Sequence, residues 1–472
     1  MAASKEMLKR INKILEPKSI AVVGASQAPE KVGHVIVRNL VEGRYGGKEY
    51  PVNPKYDKLL GMKCYPSVLA VPGNIDCVII ATPAPTIPAI MEECAKKKVG
   101  GVLMLSGGFE EVGRRDLADA VRKIAETNSI PTIGPNCLGV FNPYNHVDSI
   151  FFPMYKLGRP GPGNVSFITQ SGAVGSVIID AAGYYGIGIA KFISYGNATV
   201  LDETDLLGYL AEDRKTEIII FYLEAVKDGR RLLAKMTEVN KKKPILVLKA
   251  GRGAAGQSAA LSHTGNIAGS YLAYQAAFRQ AKVTEARSID ELFDLMRIFG
   301  QPPAMGKKMG VITNGGGLGV LTIDAVEEEG LAAAKLGEET IASLKKVLPS
   351  YGNIGNPLDL IADATVELYE KAIEEYMKDG GVDFIIICVL FQTPPMNERI
   401  VNVLVNAAED ERKPIAVVSV GGAYTESYKK ILESKGVPTF GSPNSAVKAI
   451  RKFIEYSKNM QKYARKPKKA RV

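Results

Sequence analysis

Tryptophan is absent from this chain of 472 residues, histidine occurs only three times, and no apolar run approaches the length of a membrane span. The longest runs, such as FIIICVLF at 384–391, are strand-length, whereas a span needs about 20 residues. Five cysteines (Cys64, Cys77, Cys94, Cys137 and Cys388) include no CxxC pair. A zinc cluster or disulfide framework is therefore not expected, and a reducing compartment fits. The patterns GxxxxGK(S/T), HExxH and GxSxG are also missing, which removes P-loop, zincin and hydrolase-elbow chemistry and leaves no metal site to propose. The opening stretch MAASKEMLKRINKILEP reads as an amphipathic helix without a signal-peptide apolar region. The expectation is a cytoplasmic protein with no membrane association.

Charge of one sign is scarce where it would matter most. The formal net charge is +10, but residues 451–472 hold nine Lys or Arg against one acid, Glu455, leaving +2 over the first 450 residues. A nearly neutral body argues against a nucleic-acid partner, and the tail YARKPKKARV reads as a solvated terminus.

What the chain does have is 47 glycines and a regular alternation of strand-like apolar runs with helical patterns, the mark of α/β parallel sheets. Three consecutive parallel-sheet domains are expected, with boundaries at residues 1–145, 146–300 and 301–460 and a basic tail at 461–472. The first contains SIAVVGAS (19–26), IDCVIIATPAP (75–85), GGVLMLSGGF (100–109) and IPTIGPNCLG (130–139). The second opens with NVSFITQSG (164–172), continues through EIIIFYLEA and PILVLKAG, and is expected to end in a long helix to about Phe299. The third runs from MGVITNGGG (309–317) through VDFIIICVLF and PIAVVSVGG to a terminal helix.

The second and third domains share a repeat. ITQSGAVGSVIIDA (168–181) and ITNGGGLGVLTIDA (312–325) align without gaps at an offset of 144, with seven of 14 positions identical, and SYGN occurs at both 194–197 and 350–353. Generic turn chemistry would account for some of this likeness. The sharper reading is a duplicated element in which a strand delivers a small-residue turn to a helix N-terminus, whose free N–H groups and partial positive charge suit phosphate.

Among the histidines, His34 and His146 read as incidental. His263 sits in KAGRGAAGQSAALSHTGNIAGS (249–270), a connection rich in small residues. A nucleophilic imidazole needs such room for a phosphoryl group, and a carboxylate to fix its tautomer. Glu224, directly after EIIIFYL, stands where open α/β sheets place ligands. The first turn, VVGASQAPEKVG (22–33), is not a dinucleotide fingerprint, since Ser26 occupies the second glycine position. With Lys31 and Lys55 it suits the phosphates of a nucleotide-like cofactor better than an NAD ribose.

Taken together, SIAVVGAS, NPKY, ATPAP, SGGFEE, GPNCLG, TQSGAVG, LDETDLL, SHTGNIAGS with AYQAAFRQA, TNGGGLG and GNPLDL resemble the α subunit of ADP-forming acyl-CoA synthetases, the acetate–CoA ligases of the succinyl-CoA synthetase superfamily. The resemblance implies a Rossmann-like CoA-binding domain followed by two flavodoxin-like domains. It implies that His263 is the phosphorylated histidine and Glu224 its carboxylate partner. Gln170, Ser171 and Gly172, and then Asn314, Gly315 and Gly316, match the phosphate-binding helix ends. Gly24, Ser26, Lys31, Gly33, Lys55, Pro83 and Asn136 match the coenzyme A contacts. Val200 departs from the family, where Asp often precedes the retained Asp202. The resemblance further implies coenzyme A, phosphate and a small carboxylic acid as reactants. ADP or ATP with Mg2+ would bind an ATP-grasp domain on a separate β subunit, in an α2β2 heterotetramer. A non-catalytic CoA-binding regulatory protein of the same fold is the alternative, and an NAD-dependent oxidoreductase a more distant one.

Overall fold

A computed structural model describes residues 5–258, 270–304, 306–348 and 354–464. His263, the second SYGN at 350–353 and the basic residues from Arg465 onward lie outside the described residues. The chain forms two compact units. The first comprises residues 1–184 and 188–285, and the second comprises residues 286–472 with Tyr185–Ile187.

Besides a two-stranded antiparallel ribbon, Lys58–Leu59 with Met62–Lys63, the first unit holds two large sheets. In the five-stranded one the order is Lys48–Val52, Ser19–Val23, Cys77–Ile80, Gly101–Met104, Thr132–Ile133, all parallel. The three central strands are buried at every position, as expected of parallel strands covered on both faces. One face (Ala21, Val23, Val78, Ile80, Val102, Met104) packs with Ile87, Met91 and Val121 of the flanking helices. The other face (Ile20, Val22, Ile79, Leu103) is continuous with the core of the next sheet through Ile168, Ile193 and Phe221. Its amino-terminal helix, Lys5–Leu15, joins the same core through Ile11 and Ile14.

The second sheet runs Thr284–Ala286, Ile245–Lys249, Ile218–Leu223, Pro162–Thr169, Ile189–Ser194, Val140–Asn142, Val147–Asp148. The last two strands are an antiparallel hairpin laid against Ile189–Ser194. The expected boundary near residue 145 thus falls in the turn of a hairpin that belongs to the second sheet. Asn142 fastens this hairpin to the amino-terminal helix by donating from Nδ2 to the Leu15 carbonyl, at 3.1 Å.

The long helix expected to reach Phe299 is two helices, Tyr271–Ala281 and Ile289–Ile298, separated by strand Thr284–Ala286. Lys282, in the left-handed region at φ 58°, closes the first. The Ser288 hydroxyl caps the second by accepting from the Glu291 N–H.

In the second unit the strands run Ala332–Ala333, Lys308–Thr313, Phe384–Cys388, Ile415–Val418, Thr439–Phe440, with Leu358–Asp359 also paired to Lys308–Thr313. Leaving aside the Val140–Asp148 hairpin and Leu358–Asp359, all three large sheets therefore place their strands in the order second, first, third, fourth, fifth. This arrangement opens a ligand crevice where the chain switches direction, at the carboxyl ends of the first and third strands.

In the first sheet, that end is the turn after Val23. Gly24 has φ +91° and a Cβ there would meet the Ala81 carbonyl oxygen at 2.7 Å. Gly33, one residue into the helix Val32–Glu42, packs directly on the Gly24 carbonyl, so close that a methyl group has no room. A Gly33→Ala chain is expected to lose about 1–3 kcal/mol of stability from overpacking. Thermal unfolding tests this, and an unchanged midpoint would mean that the turn yields freely.

Candidate functional site

The second sheet's switch point is built from the ends of Pro162–Thr169 and Ile218–Leu223. Thr169 donates from Oγ1 to the Ser171 carbonyl at 2.8 Å, bending the chain into the helix Gly172–Tyr185. The Ser171 hydroxyl accepts from the Val174 N–H at 3.3 Å, the bond of an N-cap. Gly175 lets this helix lie against the strand, since a Cβ would stand 2.9 Å from Thr169 Cγ2 and 2.7 Å from Phe192 Cζ. The first helical turn, with its outward-facing N–H groups, lines a cavity of about 780 Å³ through Ser171, Gly172 and Ala173.

Glu224 lines the same cavity and is 7% exposed. Its turn is held by side chains from three other elements. Gln170 Oε1 accepts from the Glu224 N–H (2.6 Å) and the Ala225 N–H (3.0 Å). Tyr274 Oη, on the helix Tyr271–Ala281, accepts from the Val226 N–H at 3.1 Å. Lys249 Nζ donates to the Glu224 carbonyl at 2.8 Å and also to the Ala250 carbonyl. Burial lowers the Lys249 ammonium to about 8, against the opposing pull of Glu224 and Glu285. Burial, with the adjacent Glu224 charge, pushes the Tyr222 phenol well above its usual range.

The opposite wall comes from the first sheet and the segment after Ile189–Ser194. Glu111 accepts from the Gly108 N–H at 2.5 Å, the Phe109 N–H at 3.2 Å and Asn197 Nδ2 at 2.5 Å. Burial opposes ionisation of Glu111, but these donors together hold its carboxyl below the usual range. Asn136, at φ 56°, donates from Nδ2 to Asn197 Oδ1 at 3.3 Å. Lys227 ties the loop to the Glu224 turn by donating to the carbonyls of Asn197 (3.1 Å) and Ala198 (3.0 Å). Phe151, Phe152, Leu105 and Leu138 make the wall apolar between these polar groups.

Five of the residues singled out in the sequence therefore line one cavity: Asn136, Gln170, Ser171, Gly172 and Glu224. Val32, between Lys31 and Gly33, also lines it. Gly24 and Ser26 belong to the same first turn, where the Ser26 hydroxyl accepts from the Ala28 N–H at 3.1 Å. His34, incidental in the sequence, staples that turn by bonding from Nδ1 to the Ser26 carbonyl at 2.8 Å. Lys31, Lys55 and Pro83 are exposed, and Lys55 follows Asn53, whose Nδ2 donates to the Ala25 carbonyl at 2.7 Å.

The acidic segment is structural. Asp202 caps the helix Glu203–Glu212 in a capping box with Asp205, and both acids pair with Arg231. Val200, in place of an acid, packs against the apolar core of the first sheet.

Glu111, Asn197 and Lys249 are not singled out by the sequence. The first two lie inside the motifs SGGFEE and SYGN. The third is a lysine ending an otherwise apolar strand, only 1% exposed.

In the second unit the duplicated element recurs in detail. Thr313 Oγ1 donates to the Gly315 carbonyl at 3.0 Å, as Thr169 does to Ser171. A Cβ on Gly319 would meet Thr313 Cγ2 at 2.8 Å, as on Gly175. Asn314 Oδ1 accepts from the Leu390 N–H at 2.8 Å, just past the third strand, as Gln170 does from Glu224. The helix Gly316–Glu328 then begins from Gly315. The copies differ where chemistry would occur: Leu390 stands in the second where Glu224 stands in the first.

Three family models match in sequence order. They are a CoA binding domain at 18–143, a succinyl-CoA ligase-like flavodoxin domain at 162–299 and a ligase-CoA domain at 309–454. The chain is 38% identical to the α subunit of acetate–CoA ligase (ADP-forming) II of Pyrococcus furiosus, covering 94% of this chain and 97% of that one. It is 40% identical to the acetate–CoA ligase (ADP-forming) of Methanocaldococcus jannaschii over 93% of its own length, but spans only 62% of that protein. A solved structure of acetyl-coenzyme A synthetase 1 from Candidatus Korarchaeum cryptofilum, in complex with phosphate and ADP, is similar with a TM-score of 0.89. It is 32% identical, with coverage of 97% and 99%.

Proposed function

Since the chain belongs to the family of ADP-forming acetate–CoA ligases, we propose that it is the α subunit of such an enzyme, converting acyl-CoA, phosphate and ADP to free acid, coenzyme A and ATP. The observation that carries this reading is the cavity in which a helix N-terminus, Ser171–Ala173, faces a buried carboxylate, Glu224, beside Asn136 of the first sheet.

In this reading the first turn (Gly24, Ser26, Lys31, Gly33), with Lys55, Pro83 and Asn136, holds coenzyme A and directs its thioester into the cavity. Phosphate rests on the Ser171–Gly172 helix end, where N–H groups and the helix dipole favour a dianion. A phosphate oxygen attacks the thioester carbonyl carbon, the C–S bond breaks, and coenzyme A leaves as the thiolate. The resulting acyl phosphate passes its phosphoryl group to a His263 nitrogen as the P–O bond breaks and the carboxylate departs. The phosphohistidine then phosphorylates ADP. Phosphoryl transfer of this kind depends on positioning and charge stabilisation, which helix ends and oriented donors supply. Glu224 orients the imidazole and stabilises its charged form. Asn314, Gly315 and Gly316 form a second helix start of the same build, proposed as a phosphate-binding end in its own right.

ADP with Mg2+ is proposed to bind a separate nucleotide-binding β subunit in a cytoplasmic α2β2 assembly. Acetyl-CoA is the first substrate to try. Incubated with acetyl-CoA and isotopically labelled phosphate, the chain is expected to acquire an acid-labile label at His263. A chain that binds coenzyme A but takes up no label from any acyl-CoA would instead be a regulatory protein of the same fold.

A further inference from the structure

Every backbone hydrogen bond described for the Glu224 turn ends on a side chain rather than on a neighbouring strand. Gln170 takes two N–H groups, Tyr274 takes a third, and Lys249 supplies the donor for the Glu224 carbonyl. Of these, Lys249 alone carries a charge. It is 1% exposed, and its ammonium stands 4.6 Å from the centre of the Tyr274 ring. Its second carbonyl, Ala250, opens the connection in which His263 lies. One buried cation thus joins the end of the third strand to the start of that connection, while resting on the ring that holds Val226. A buried ammonium is costly, and a methionine of similar length would fill the same space without the cost. What the methionine lacks is donors for two carbonyls.

We propose that Lys249 is a positioning residue of the phosphoryl-transfer reaction, its ammonium fixing the Glu224 turn and the origin of the His263 connection together. The inference rests on the proposed roles of Glu224 and His263. It assigns Lys249 no contact with substrate. The titratable groups facing it are Glu224 and Glu285, which favour its charge, and Tyr274 beneath it. With the ammonium titrating at about 8, the positioning is present below that pH and weakens as pH rises through it.

The test measures ATP formation from acetyl-CoA, phosphate and ADP by the full chain assembled with its nucleotide-binding subunit. Lys249→Met is expected to lower kcat roughly 10- to 100-fold, the effect of a small misplacement of reacting groups, with KM for acetyl-CoA little changed. Lys249→Arg keeps a charge that does not titrate in this range. It is expected to recover most of the activity and to abolish the alkaline fall in kcat near pH 8. Hydrogen exchange at the amides of residues 224–226 gives a readout independent of turnover, and Lys249→Met is expected to weaken protection there. Wild-type kcat and wild-type protection in Lys249→Met would overturn the proposal. So would an arginine variant no better than the methionine one, with both merely lowering the thermal midpoint, since that describes packing alone. Should the methionine variant not fold, an unmoved alkaline limb in Lys249→Arg overturns it equally. A wild-type assembly that makes no ATP would count against the proposed reaction, and exchange protection would still decide the role of Lys249.

Discussion

Alanine at His263 is expected to abolish ATP synthesis, by about 10⁴-fold or more as for loss of a covalent nucleophile, while coenzyme A binding is unchanged. No other imidazole stands ready to replace it. His34 is committed to the Ser26 carbonyl in the first turn, and His146 sits in the turn of the Val140–Asp148 hairpin. The loss should therefore be in kcat, with no acid-labile label after incubation with acetyl-CoA and labelled phosphate. Coenzyme A affinity, measured by calorimetry, should match the wild type because its proposed contacts belong to the first sheet. An alanine variant that still makes ATP would remove the phosphohistidine from the mechanism.

Glutamine at Glu224 is expected to cost roughly 10²- to 10⁴-fold in kcat, the range for a group that supports proton and charge changes on a catalytic imidazole. The substitution removes the charge but leaves in place the bonds that Gln170 and Lys249 make to the backbone of residue 224. Unfolding temperature and coenzyme A affinity are the controls. Phosphorylation of His263 followed over a single turnover is the readout. A Glu224→Gln variant phosphorylated at the wild-type rate would leave the carboxylate without a part in the reaction.

The three-sheet plan was legible because each central strand is a buried apolar run ending in small residues, and the duplicated TQSG and TNGG turns announce their strand–turn–helix geometry. Glu224 was legible for the same reason: it is the first charged residue after EIIIFYL. The Glu111–Asn197–Asn136 wall was harder to see. Its members lie far apart in the chain and meet only when two sheets pack, a tertiary event that no local period reports. Lys249 was read as part of a strand because its stem continues the apolar pattern; only the carbonyls converging on its tip distinguish it. The break at Lys282 was missed because a lysine in the left-handed region carries none of the signal that glycine gives at such a position. Gln170 was matched to phosphate, whereas its Oε1 is already occupied by two backbone N–H groups, so any contact with an anion would come from its other amide atom.

The Val140–Asp148 hairpin also constrains where this chain can be divided. A recombination breakpoint at the apparent end of the Rossmann-like module, near residue 145, would cut between two strands that belong to its neighbour, and would strip Ile189–Ser194 of its outer partner. Asn142 would go with the first module, where it bonds the Leu15 carbonyl, and would leave Val147–Asp148 behind. Ile20 and Ile79 share an apolar core with Ile168 and Phe221, so a foreign first module would have to match that surface as well. A chimera joined near residue 145 is therefore expected to unfold at a lower temperature than the intact chain, which thermal unfolding measures.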